Sequence, residues 1–97
     1  MAKCYFTNKA VEDLTEIWNY TGETWSEKQA DKYYDLLLIS CNELAKNPNL
    51  GKKYEVVTKG ILGYKSGEHI IFYSIISENE IEVARILHGM MDLKSKL

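Results

Sequence analysis

The chain has 97 residues, 45% hydrophobic and 27% charged, with a formal net charge of −2. These values fit one small globular domain spanning 1–97, with a core big enough to fold alone but little surplus. They argue against a protein that holds nucleic acid mainly by bulk electrostatics, and no apolar run approaches membrane-spanning length.

The first predicted element is a short strand at Lys3–Thr7, carrying Cys4, Tyr5 and Phe6. It stops at Thr7-Asn8, both good helix N-caps. Ala10, Leu14, Ile17, Trp18, Thr21 and Trp25 then recur at three- and four-residue spacing, one face of an amphipathic helix. Glu12, Asp13 and Glu16 place negative charge near its N-terminus, where the helix dipole favours it. Gly22 is expected to end this helix near Glu23. A second helix opens on the capping box Ser26-Glu27-Lys28-Gln29. Its apolar stripe is Ala30, Tyr33, Tyr34, Leu37, Leu38, Cys41, Leu44 and Ala45. Asn47-Pro48 ends it, because the residue before proline is pushed out of helical geometry. The two helices form an antiparallel hairpin.

Asn49–Lys59 is either a loop or holds a short strand at Tyr54–Val57. Gly60-Ile61-Leu62-Gly63 reads as a turn, Leu62–Lys65 as a strand and Ser66-Gly67 as the next turn. Two long strands follow, His69–Ser77 and Ile81–His88, rich in Ile, Val, Phe and Tyr and joined by Glu78-Asn79-Glu80. Met90–Leu97 is a tail of one or two helical turns. The order is β-α-α-β-β-β, an α+β arrangement.

Alternation along the first long strand puts His69, Ile71, Tyr73 and Ile75 on one face, and Ile70, Phe72, Ser74 and Ile76 on the other. The second strand divides into Ile81, Val83, Arg85 and Leu87 against Glu82, Ala84, Ile86 and His88. Neither face is a clear water face, and a sheet with two apolar faces needs two covers. The helices supply one. The other is expected to be open and to receive a partner protein.

Catalytic constellations are missing from the sequence. Gly51-Lys52-Lys53 lacks the glycine and Ser/Thr of a phosphate-binding loop, and no H-E-x-x-H, G-x-S-x-G or metal-ligand spacing occurs. Neither a cofactor nor a metal is expected. Cys4 and Cys41 sit among apolar residues and read as small buried hydrophobes rather than a disulfide or reactive thiols. His69 and His88 are the residues able to titrate near neutral pH, and alternation gives no reason to place them on one face. Arg85, the sole arginine, lies mid-strand among apolar residues. Either it pairs with an acid such as Asp92 or Glu82, or it recognises phosphate or an acidic partner. The opening Met1-Ala2-Lys3-Cys4 does not begin a signal peptide, which points to the cytoplasm.

The second hairpin strand carries a more specific signal. His69-Ile70-Ile71-Phe72-Tyr73, followed by Val83-Ala84-Arg85-Ile86-Leu87-His88 and Met91-Asp92, resembles the ParE toxins of the RelE/ParE superfamily. Upstream the resemblance takes in Ala10, Asp13-Leu14, Ile17, Tyr20, Trp25, Gln29-Ala30, Leu44-Ala45, Asn47-Pro48 and Gly51, and it matches least over 52–63. It implies a RelE-like scaffold with a helical hairpin on one face of a small, mostly antiparallel sheet. It also implies the toxin of a type II toxin–antitoxin system, a poison of DNA gyrase neutralised in a hetero-oligomer by a ParD-like antitoxin.

That antitoxin would be the missing cover, facing Ile70, Phe72 and Ile86. Arg85, His88, Met90, Met91 and Lys94 are the candidate target- or partner-binding residues. On this reading the protein is not an enzyme and binds no nucleic acid sequence-specifically. The first alternative is the RelE-like branch of ribosome-dependent mRNA endonucleases. Members of that branch often carry an arginine in a strand where this chain has Ile70. The second is a scaffold that binds antitoxin without toxicity.

Overall fold

A computed structural model of the chain describes residues 1–54 and 60–89. Its elements are β1 (Lys3–Phe6), α1 (Asn8–Thr24), α2 (Glu27–Lys46), a 3-10 turn (Pro48–Leu50), β2 (Lys52–Lys53), β3 (Leu62–Ser66), β4 (His69–Ser77) and β5 (Glu80–His88). The strands form one sheet in the order β1-β5-β4-β3-β2. β1 runs parallel to β5 and every other pairing is antiparallel.

Local chemistry sets the boundaries. The Thr7 hydroxyl accepts from the Ala10 amide at 3.1 Å and donates to the Ala84 carbonyl at 2.8 Å, so one side chain caps α1 and ties it to β5. Ser26 caps α2 by accepting from the Gln29 amide at 3.0 Å, and Pro48 follows the C-cap Asn47. Gly22 does not end α1, which continues to Thr24. It faces α2 instead, where an added Cβ would meet Ala30 at 3.9 Å, an ordinary contact.

The α2 stripe packs as its spacing predicts, with Ala30, Leu37, Cys41, Leu44 and Ala45 buried and Tyr33, Tyr34 and Leu38 half-buried. These side chains, with Ala10 and Leu14 of α1, cover Ile71, Tyr73, Ile81, Val83 and Ile86 of the central hairpin. Trp25 departs from its predicted core position. It lies past the end of α1 and is 75% exposed. Tyr73 is wholly buried, and its hydroxyl donates to the Pro48 carbonyl at 2.6 Å and accepts from the Gly51 amide at 2.9 Å. Burial raises its pKa. The phenol thus fastens the chain leaving α2 to the middle of the sheet.

Strict alternation fails in β5. Phe72 pairs with Arg85 but Tyr73 pairs with Val83, so Ala84 is an extra residue, a β-bulge. An added residue reverses the parity of everything beyond it. Ile86 therefore faces the helices with Ile81 and Val83, and it does not share a face with Ile70 and Phe72 as expected. His88 is carried to the same face as His69, its direct partner in the register.

The second face is also less open than expected. Phe72 is fully buried, with the Tyr54 ring edge-on to it at 5.3 Å between centroids. Gly63 makes this possible, because a side chain there would strike the same ring. Of the proposed Tyr54–Val57 strand, Tyr54 is held by its amide to the Ile61 carbonyl at 3.1 Å, and 55–57 lie outside the described residues. The short strand seen is Lys52–Lys53. The proposed helical tail Met90–Leu97 also lies outside the described residues. Among the described residues, no helix is long and apolar enough to cross a membrane.

Candidate partner-binding groove

β1 is too short to cover the edge of β5. Its pairing runs from Lys3 with Glu80 to Phe6 with Val83, and then the chain turns into α1. Beyond Val83, α1 supplies polar caps in place of a strand. The Asp13 carboxylate accepts from the Ile86 amide at 3.0 Å. It also receives Arg85 bidentately, Nε at 2.8 Å and Nη2 at 2.9 Å. This fork geometry is the strong form of the pair. Asp13 is 7% exposed, so the guanidinium and the amide together offset the cost of burying its charge. Asp13 in turn holds the Arg85 proton more firmly than usual, reinforced by Glu12 and Glu16. Of the acids expected to pair with Arg85, Asp92 lies outside the described residues. Among the described residues Asp13 is an ion-pair partner of Arg85.

At the far end of the same hairpin the two histidines meet edge to face, with ring centroids 5.5 Å apart. The Tyr33 hydroxyl of α2 accepts from the Glu68 amide at 2.9 Å and is hydrogen-bonded to His69 Nδ1 at 2.6 Å. Burial, then the neighbouring His88, lowers the His69 pKa, so the ring is neutral at neutral pH. His88 Nε2 lies 3.7 Å from a Glu68 carboxylate oxygen. Tyr33 also lies over Gly67, whose φ of 59° suits a residue without a side chain and whose missing Cβ leaves room for the ring.

Between these two clusters runs a groove of about 1020 Å³, walled by α1, the start of α2 and the ends of β4 and β5. Its polar lining is Asp13, Glu16, Gln29, Glu68, His69, Arg85 and His88, and its apolar lining includes Ile17, Tyr20 and Trp25. Tyr20 is 68% exposed, like Trp25 an aromatic standing in the open. Mixed polar groups beside exposed aromatics suit the capture of a protein segment.

The proposed site residues are thus divided. Arg85 and His88 line this groove together, and Ile86 contributes from the strand edge between them. Ile70 faces the other way and lines a smaller recess of about 210 Å³ with Lys65 and Gly89. Phe72 is beneath Tyr54, while Met90, Met91 and Lys94 lie outside the described residues. Sequence reasoning missed Asp13, Tyr33 and Glu68 as site residues. For Asp13 a signal existed, since it falls on the apolar stripe with Ala10, Leu14 and Ile17 in a chain with one strand arginine.

Comparison with known proteins places these features in a lineage. A family model described as "ParE toxin of type II toxin-antitoxin system, parDE" matches residues 5–93. The chain is 32% identical over 98 residues to "Toxin ParE1" of Mycobacterium tuberculosis, covering 100% of both chains. It is 30% identical over 91 residues to "Toxin ParE1" of Caulobacter vibrioides, covering 94% of this chain and 93% of that one. Among solved structures, "Chromosomal ParDE TA system from P. aeruginosa" superposes with a TM-score of 0.77 at 19% identity, covering 91% of this chain and 96% of the other. A YoeB dimer from Staphylococcus aureus superposes with a TM-score of 0.61 at 18% identity, covering 91% and 97%. At those identities the two structures speak to the fold alone.

Proposed function

The chain belongs to the ParE toxin family of type II toxin–antitoxin systems, and from that premise we propose that it poisons DNA gyrase in the cytoplasm and is neutralised by a ParD-like antitoxin. The observation that carries the reading is the family match over almost the whole chain. The toxin acts by binding its target, with no bond-making chemistry of its own. Two features of the fold support this. Arg85, which an RNA-cleaving site would need to neutralise a scissile phosphate, already gives Nε and Nη2 to the Asp13 carboxylate. Ile70, at the position of the strand arginine often seen in the RelE-like branch, is a hydrocarbon on the opposite face.

The antitoxin occupies the groove between α1 and the central hairpin, with Tyr20 and Trp25 as its exposed aromatic contacts, in a hetero-oligomeric complex. Controlled expression in bacteria tests the proposal. Gyrase poisoning gives cleaved DNA and a damage response while translation continues. Rapid mRNA cleavage with intact DNA would overturn it in favour of an endonuclease. Antitoxin binding without either effect would identify a non-toxic scaffold.

A further inference from the structure

We infer that the segment seated in the groove is cationic, presenting lysine or arginine to Glu16 and Glu68 and laying the aliphatic stems on Tyr20 and Trp25. The inference rests on the reading of this groove as the antitoxin site and assigns the chemistry of the segment that fills it. Among the described residues lining the groove, Arg85 is the one permanent cation, and it shares the lining with the carboxylates of Asp13, Glu16 and Glu68. Two of its nitrogens go to Asp13, so that charge pair cancels within the wall. Glu16 and Glu68 are exposed, the Glu68 side chain by 79%. Burial keeps His69 neutral at neutral pH, so its ring adds no positive charge to offset them.

The surroundings carry the same sign. Residues 1–45, which hold β1, α1 and α2 as far as Ala45, have eight Asp and Glu against four Lys. A cleft lined by one sign of charge concentrates its field on whatever enters. This field repels a phosphate backbone and attracts a basic polypeptide, which favours a protein segment as the occupant. Glu16 and Tyr20 stand four residues apart on α1, so they are neighbours on one helix face. Tyr20 is 68% exposed and Trp25, at the C-cap, 75%. An exposed ring one turn from a carboxylate suits a long basic side chain, whose stem lies on the ring while its head group reaches the acid. Glu68 enters from the turn between β3 and β4, where its amide donates to the Tyr33 hydroxyl at 2.9 Å. The two acids thus come from separate walls, and a segment lying between them meets one on each side. An acidic segment would meet like charge at both.

Calorimetry of the full-length chain with the purified ParD-like antitoxin of its own system tests the assignment. Affinity should fall by about 10-fold between about 50 and about 500 mM sodium chloride, because exposed charge pairs are screened. Glu16→Lys combined with Glu68→Lys should weaken binding at low salt by about 10-fold or more and remove most of the salt dependence. Glu43→Lys makes the same kind of change at an exposed α2 position outside the groove, and affinity should stay within about 2-fold of wild type. Glu16→Gln and Glu68→Gln should each lose about 2- to 5-fold, and they decide the matter if the double reversal fails to fold. Changing basic residues of the antitoxin segment to glutamate should restore affinity for the reversed toxin. Binding that is unchanged or stronger after the reversal, or that ignores salt, overturns the inference. If Trp25→Ala still weakens binding in that case, the groove stands as the antitoxin site with an occupant of other chemistry. If neither the acids nor the rings matter, or if wild type does not bind the antitoxin, both readings fall.

Discussion

Asp13 and Arg85 stand 72 positions apart and meet in a bidentate pair that also closes the open edge of β5 through the Ile86 amide. Removing the carboxylate therefore takes an acceptor from two donors at once. Asp13→Ala should cost about 2–4 kcal/mol, from the loss of the bidentate ion pair and an unsatisfied buried amide. Asp13→Asn keeps an acceptor for the amide and should cost clearly less. Urea unfolding measures both, and equal losses would show that the amide contact contributes nothing.

A pH dependence follows from His69. Its folded pKa is lowered from the ordinary 6.5, chiefly by burial. Around it stand Tyr33 of α2, His88 of β5, Glu68 next to it and Asp13 of α1, whose two acids pull the other way. Because the unfolded chain takes up the proton at higher pH than the folded one, this residue's contribution is fully present above 6.5. It is lost as pH falls from there toward the folded value. Thermal midpoints of wild type and His69→Gln should converge or cross as pH drops through this window. An NMR titration placing His69 above 6.5 would refute the argument.

Tyr73 offers a cleaner measure of a buried polar group. Tyr73→Phe preserves the ring among Ile71, Val83 and Leu44 but leaves the Gly51 amide and the Pro48 carbonyl without their partner. The expected loss is about 1–3 kcal/mol in chemical denaturation. A change smaller than about 0.5 kcal/mol would mean that water replaces the phenol at no cost.

The helices and long strands were legible because each is written in local terms. The cap at Ser26, the stripe from Ala30 to Ala45 and the β-branched runs from His69 and Glu80 all act over a few residues. What escaped was non-local. The Ala84 bulge has no marker in β5 itself, yet it moved Ile86 to the helix side and set His88 beside His69. Tyr54 covers Phe72 only because the chain folds back over Gly63. The groove likewise depends on where β1 ends relative to β5, a register that no periodicity within either strand encodes.

The groove and the segment beyond it can be separated by experiment. Trp25 and Tyr20 are largely exposed, so Trp25→Ala and Tyr20→Ala should leave stability within about 0.5 kcal/mol of wild type. If the antitoxin docks on these rings, each substitution should weaken its binding by roughly 10- to 30-fold, as for central aromatic contacts in an interface. Deleting Met90–Leu97 should have the opposite profile, abolishing toxicity while antitoxin binding stays largely intact. Calorimetry with purified antitoxin and a growth assay give the two readouts. Unchanged affinity in both aromatic variants would remove the groove as the antitoxin site. Full toxicity after the truncation would place gyrase contacts elsewhere on the chain.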